Sequence, residues 1–137
     1  MSRELSLSAL TAISPVDGRY GTKTAALRDA FSEYALIRER VRVEIEWLKA
    51  LAAAPGIEEL PAFSAAEVVQ LDAIVEQFDV DAAAAVKAIE ATTNHDVKAV
   101  EYFIKQRMAS LPSLATASEF VHFGCTSEDI NLSLIHI

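Results

Sequence analysis

No glycine or proline interrupts residues 22–54, and only four of each occur in the 137-residue chain. Strong helix formers fill that stretch, so it reads as one long helical segment, bent near Ser32. Ile37, Val41, Ile45, Leu48 and Ala52 step by three and four along it and make one apolar stripe. Val43, Trp47 and Leu51 make a second. Arg40 with Glu44, and Arg42 with Glu46, stand at i,i+4 spacing and are expected to pair on the remaining surface. Two apolar stripes call for partners on two sides, more than a short chain readily supplies, so exposed apolar surface and poor folding of the chain alone are expected.

The rest of the chain is punctuated. Residues 5–21 are irregular, because Pro15, Gly18 and Gly21 break any helix and Asp17 followed by Gly18 is a turn signal. Pro55 and Gly56 stop the long helix, and Pro61 marks the next connection. Ser64 and Glu67 have capping-box spacing and open a helix to about Phe78. Another helix is expected from about Asp81 to Ala91. After a polar break at residues 92–96, Val97, Val100, Ile104 and Met108 define a further amphipathic helix, and Pro112 ends that region. A short helix over residues 115–123 follows. Gly124 breaks it, and Thr126, with Asp129 in the capping-box position, starts a last one. With no strand alternation and no fixed-period repeat, the expected fold class is all-α.

Twelve lysines and arginines face 20 aspartates and glutamates, a net charge of −8. That balance argues against a general nucleic-acid binder, which needs clustered positive charge, and against a reader of anionic lipid. No run of about 18 apolar residues is present, so no membrane span is expected. The start lacks the long apolar segment of a secretory signal, and a cytoplasmic location is expected. One cysteine, Cys125, supports neither an internal disulfide nor a cysteine-based metal site. Residues 132–137, LSLIHI, resemble the conceptual translation of a transposon mosaic-end adapter. The expectation is that they are foreign, that the natural sequence runs only to Asn131 here, and that His136 is no ligand candidate.

Three polar groups carry chemistry. Arg19 and Tyr20 sit in a glycine-flanked loop, where an arginine can clamp a phosphate or carboxylate with two parallel hydrogen bonds; a surface arginine beside a packed tyrosine is the plainer reading. Thr92, Thr93, Asn94, His95 and Asp96 gather at a helix start. Thr93 and Asp96 suit a capping box, which leaves Asn94 and His95 unexplained. A histidine there tends to stay neutral and can both donate and accept, so it can orient a substrate. Thr126 and Ser127 resemble an anion site, since the first N–H groups of a helix are unpaired, although capping alone also accounts for them. His122 reads as a hydrogen-bonded packing residue and Cys125 as a small buried side chain. No glycine-rich phosphate loop, HExxH, GxSxG or metal-ligand spacing occurs.

Three segments in order, SPVDGRY at residues 14–20, TTNHDVKAVEY at 92–102 and HFGCTSEDIN at 122–131, resemble the adenylosuccinate lyase family, nearest to its proteobacterial form. The likeness extends from about Leu5 to Asn131. At Leu132 the family would place a second asparagine. The resemblance implies the fumarase/aspartase superfamily, with residues 1–112 as an N-terminal helical domain, 113–131 as the start of a central helical bundle, and 132–137 as the adapter scar. It implies a homotetramer whose sites are each assembled from three subunits. The implied reaction is β-elimination of fumarate from adenylosuccinate to give AMP, and from the succinyl-carboxamide ribotide, with no metal or organic cofactor.

By the same resemblance Arg19 and Tyr20 bind the nucleotide, with Arg19 near its phosphate. Asn94, His95 and Asp96 form a second substrate-binding segment, and Thr126 and Ser127 meet a succinyl carboxylate. The acid histidine and base serine would lie downstream, so no catalytic residue is expected within these 137 residues and the chain alone is expected to be inactive. Two rivals stay open: another superfamily lyase, of argininosuccinate lyase or fumarase type, and a non-catalytic helical interaction module.

Overall fold

A computed structural model of the chain describes residues 5–134. Residues 1–4 and 135–137 lie outside the described residues, and with them His136 and half of the adapter-like tail. The described secondary structure is helical throughout, and the chain divides into two compact units, up to Leu36 and from Ile37 onward.

In the first unit the irregular stretch is a chain of hydrogen-bonded turns. Gly18 N donates to Ser14 O at 3.0 Å, Tyr20 N to Pro15 O at 2.8 Å, and Thr24 Oγ1 to Val16 O at 2.9 Å. A side chain at Gly18 would bring a Cβ within 2.8 Å of Ala9 O, so this turn closes only around glycine. A 3-10 helix at Ala25–Leu27 leads into α1 (Arg28–Phe31). Ser32 is extended, with ψ at 165°, so the long helical segment is broken there rather than bent. Its hydroxyl accepts from Ala35 N at 3.2 Å.

α2 (Glu33–Ala53) carries both apolar stripes. Ile37, Val41, Ile45, Leu48 and Ala52 are buried, as are Val43 and Leu51, and only Trp47 stays 37% exposed. The second unit therefore covers α2 more completely than its two stripes suggest. The partners come from distant segments: Lys49 reaches Asp72 at 2.7 Å, Trp47 Nε1 donates to Phe123 O at 2.8 Å, and Val43 packs with Val97 and Ile130.

The other helices are set by local signals. Ser64 and Glu67 form a reciprocal capping box that opens α3 (Ala65–Glu76). Asp79 accepts from Ala82 N and opens α4 (Val80–Thr93), two residues longer at its far end than its pattern suggests. α5 (Asp96–Ala109) buries Val97, Val100, Phe103, Ile104 and Met108 and packs on α4. Phe78 meets Phe103 edge-on, with ring centroids 5.6 Å apart, and seats the α3–α4 connection on α5. A 3-10 helix at Ala115–Phe120 packs on α5, and α6 (Ser127–Ser133) follows, with Thr126 and Asp129 forming its capping box.

Candidate substrate-binding segments

Arg19 and Tyr20 belong to the first unit, where the turns just described hold them. Both side chains are exposed, and the Arg19 guanidinium lies 5.3 Å from the centroid of the Tyr20 ring. Arg19 makes no ion pair among the described residues, so its planar fork remains available to an anion.

The other site segments lie in the second unit, where α4 passes directly into α5. Asn94 is left-handed, φ 52°, and its N–H closes α4 onto Glu90 O at 2.8 Å. Asparagine is among the few non-glycine residues that adopt this conformation readily. The next residue, His95, is extended and is the N-cap of α5: its Nδ1 accepts from Lys98 N at 3.1 Å. The sequence expectation of a Thr93–Asp96 capping box is corrected here. Thr93 is the last residue of α4, and its hydroxyl donates to His95 O, so the cap falls two residues later on a ring nitrogen. Accepting at Nδ1 requires a bare lone pair there and leaves Nε2, on a half-exposed ring, to meet a ligand.

Asp96 is the first residue of α5. Its Oδ1 accepts from Val97 N at 2.8 Å and its Oδ2 stands 2.8 Å from Arg40 Nη2. Burial works against its charge, but the Val97 N–H and Arg40 outweigh it and hold the carboxyl below its ordinary value. Arg40 is almost wholly buried, and its Nε donates to Asn131 Oδ1 of α6 at 3.1 Å. One arginine thus ties the start of α5 to α6, above the buried Val43–Val97–Ile130 cluster.

Arg40 and Glu44 were expected to pair on the surface with each other, and Arg42 with Glu46. Neither pair forms. Arg42 pairs with Glu39, Glu46 with Lys49, Arg40 with Asp96, and Glu44 with His122. The reason is position: Arg40 falls in line with Val43, Trp47 and Leu51, Glu44 lies between that stripe and the one through Ile37 and Leu48, and both are carried inward, where distant partners meet their charge.

At α6, Thr126 N and Oγ1 meet Asp129 Oδ2 at 2.7 and 2.8 Å, and Asp129 N returns to Thr126 Oγ1 at 3.4 Å. These bonds to Thr126 hold the Asp129 carboxyl below its ordinary value. The Thr126 hydroxyl is therefore committed to its cap. The Ser127 hydroxyl has no hydrogen-bond partner among the described residues and is the freer donor. Just upstream, His122 has φ 65°, a strained conformation for a non-glycine residue, and its Nδ1 lies 2.6 Å from Glu44 Oε1. The packing role read for His122 in sequence is thus accompanied by a fixed ring with 19% of its side chain exposed. Cys125 is part-buried, and burial, followed by the charges of Glu44 and Asp129, pushes its thiol up, which suits a packing residue rather than a nucleophile.

The structure links Asp96 to Asn131 through Arg40; Arg19 and Tyr20 belong to the first unit. Among the described residues, no group of three His, Cys, Asp or Glu side chains gathers to hold a metal, and no helix is long and apolar enough to cross a membrane.

A family model described as Lyase matches residues 18–137. Over 127 residues, 93% of this chain, the sequence is 60% identical to adenylosuccinate lyase of Escherichia coli (strain K12). Over the same share it is 59% identical to adenylosuccinate lyase of Vibrio cholerae serotype O1 and 46% identical to that of Legionella pneumophila (strain Corby). In each case the match covers 28% of the relative, so the chain spans little more than a quarter of the length of the curated relatives it matches.

Proposed function

We propose, from the premise that this chain belongs to the lyase family, that it is the N-terminal part of an adenylosuccinate lyase. The reaction in this reading is a β-elimination. A base takes the proton from the carbon next to a carboxylate, the carbon–nitrogen bond breaks as the double bond of fumarate forms, and an acid protonates the departing nitrogen. Adenylosuccinate yields AMP, and the succinyl-carboxamide ribotide yields its carboxamide product.

The contact that supports the reading most is Arg40, which joins Asp96 from the second family-like segment to Asn131 from the third. Residues far apart in sequence are held side by side, as a shared ligand requires. Arg19, with Tyr20 beside it, takes the phosphate. Asn94, His95 and Asp96 line the reacting part, with His95 presenting Nε2. Ser127, supported by Thr126, receives a succinyl carboxylate. Donors around that carboxylate stabilise the charge that builds on it as the proton leaves.

The rest of the machinery is supplied by the longer protein. In this reading residues 1–112 form an N-terminal helical domain and 113–131 begin the central bundle. The bundle builds a cytoplasmic homotetramer, each site drawing on three subunits. The acid histidine and the base serine lie downstream of these residues, and the reaction uses no metal or organic cofactor. Neither nucleic acid nor membrane is a partner.

The test is a substrate comparison on the intact polypeptide that carries this segment. AMP and fumarate should appear in equal amounts from adenylosuccinate, with no turnover of argininosuccinate or malate. Turnover of either non-purine compound in place of adenylosuccinate would overturn the assignment. The 137-residue chain assayed alone should release no fumarate above background.

A further inference from the structure

Glu44 is the most deeply buried ionisable side chain described, with 0% of its side chain exposed, and it sits between the two apolar stripes of α2. A carboxyl in that setting needs a strong partner. It has one, His122 Nδ1 at 2.6 Å, while its second oxygen, Oε2, is buried without a hydrogen bond. Burial pushes the Glu44 carboxyl up, the His122 contact pulls it back, and the nearby Glu101 adds to the upward push. On the other side of the pair, His122 holds a left-handed backbone, and its Nε2 has no partner among the described residues. A strained histidine anchored from behind, four residues ahead of Thr126, is arranged to hold one ring nitrogen still and leave the other for use.

We propose that Glu44 is a positioning residue: its buried carboxylate accepts the Nδ1 proton of His122 and so fixes the ring with Nε2 as the nitrogen that meets ligand. The inference rests on the lyase reading for what that ligand is, and on the 2.6 Å contact alone for the orientation. Glu44 touches no substrate in this scheme. It acts through His122, as a carboxylate behind an imidazole fixes tautomer and ring angle elsewhere.

The tautomer is the direct readout. Nitrogen-15 imidazole spectra of the intact polypeptide should show His122 protonated at Nδ1. His95, whose Nδ1 accepts from Lys98 N–H, serves as the internal reference with a bare Nδ1. E44Q keeps the volume but replaces the charged acceptor with a neutral amide, and it should weaken the Nδ1–H hydrogen bond of His122 and lower its share of the Nδ1-protonated tautomer without altering His95. With adenylosuccinate as substrate, E44Q should lower kcat/KM by about 10-fold to 100-fold. E44D keeps the charge and should retain the Nδ1 proton and recover part of that loss. A bare Nδ1 on His122 in the unmutated protein overturns the proposal whether or not the Gln variant folds. So does an E44Q protein with an unchanged tautomer and unchanged kcat/KM. If the unmutated protein turns over no adenylosuccinate, the lyase reading fails, and the spectra still decide whether Glu44 holds His122.

Discussion

Arg40 and Asp96, 56 positions apart in the sequence, meet at 2.8 Å with the arginine buried and the aspartate half-exposed. Because the same guanidinium also donates to Asn131, its removal orphans two acceptors on two different helices. R40M should destabilise the chain by about 1–3 kcal/mol, below the full cost of breaking a buried pair because Asp96 can recover water. R40K should recover part of this, since an ammonium lacks the fork that serves both acceptors. Urea unfolding followed by the single tryptophan, Trp47, measures the difference. A shift under about 0.5 kcal/mol for R40M would show that the bridge is ornamental.

Asp96 and Glu101 predict the acid limb of stability. Burial opposes the charge of both. The Val97 N–H and Arg40 bring Asp96 below its ordinary 3.8, and Lys98 and Lys105 bring Glu101 below its ordinary 4.5. A carboxylate lowered in the folded state contributes fully above its unfolded value and loses that contribution as pH falls through its folded value. Their share should therefore be constant from neutrality down to about pH 5 and disappear below it. Glu44 runs the other way. Burial raises it, so its contribution is present below 4.5 and is lost as pH rises through its raised value. Melting temperature against pH checks this: D96N should have a shallower fall below pH 4 than the unmutated chain, and an equally steep fall would remove Asp96 from the account.

The capping boxes at Ser64–Glu67 and Thr126–Asp129 were legible because each is closed by residues three apart, whatever the rest of the chain does. The box read at Thr93–Asp96 failed because Asn94 takes a left-handed turn, ends α4 late and hands the cap to His95, a residue whose ring nitrogen seldom plays that part. Arg40 and Glu44 were misread for a different reason. Their mutual spacing suggested a surface pair, but their phase on α2 puts Arg40 in line with Val43, Trp47 and Leu51 and Glu44 between the two apolar stripes, so both are buried. That phase was available in the sequence; the partners Asp96, Asn131 and His122 were not, because they arrive from segments about 50 to 90 positions away. The three family-like segments were legible as motifs, and the arginine that joins Asp96 to Asn131 was not.

Ile130 tests whether α6 is held by packing or only by its cap. The helix is a single short element, too short to be stable on propensity alone. Ile130 is 1% exposed and packs with Val43 of α2 and Val97 of α5. I130A should cost about 2–4 kcal/mol, the range for truncating a buried isoleucine. It should also raise hydrogen exchange at the amides of α6 and leave α3 unchanged. Unaltered exchange at α6 would mean that the cap alone fixes it.

His95 separates a structural role from a ligand-binding one, because two substitutions affect them differently. Its Nδ1 caps α5, and asparagine is a strong N-cap residue while alanine is not. H95A should lower stability by about 1 kcal/mol, and H95N should stay within a few tenths of the unmutated protein. Neither variant keeps the Nε2 that the half-exposed ring offers to a ligand. If His95 binds substrate, both should weaken adenylosuccinate binding in the intact polypeptide by a similar factor, about tenfold for the loss of one good hydrogen bond to a charged group. Calorimetric titration of the two variants beside their thermal melts gives the answer. Binding that survives in H95N would reduce His95 to a cap, and the second segment would then depend on Asn94 and Asp96 alone.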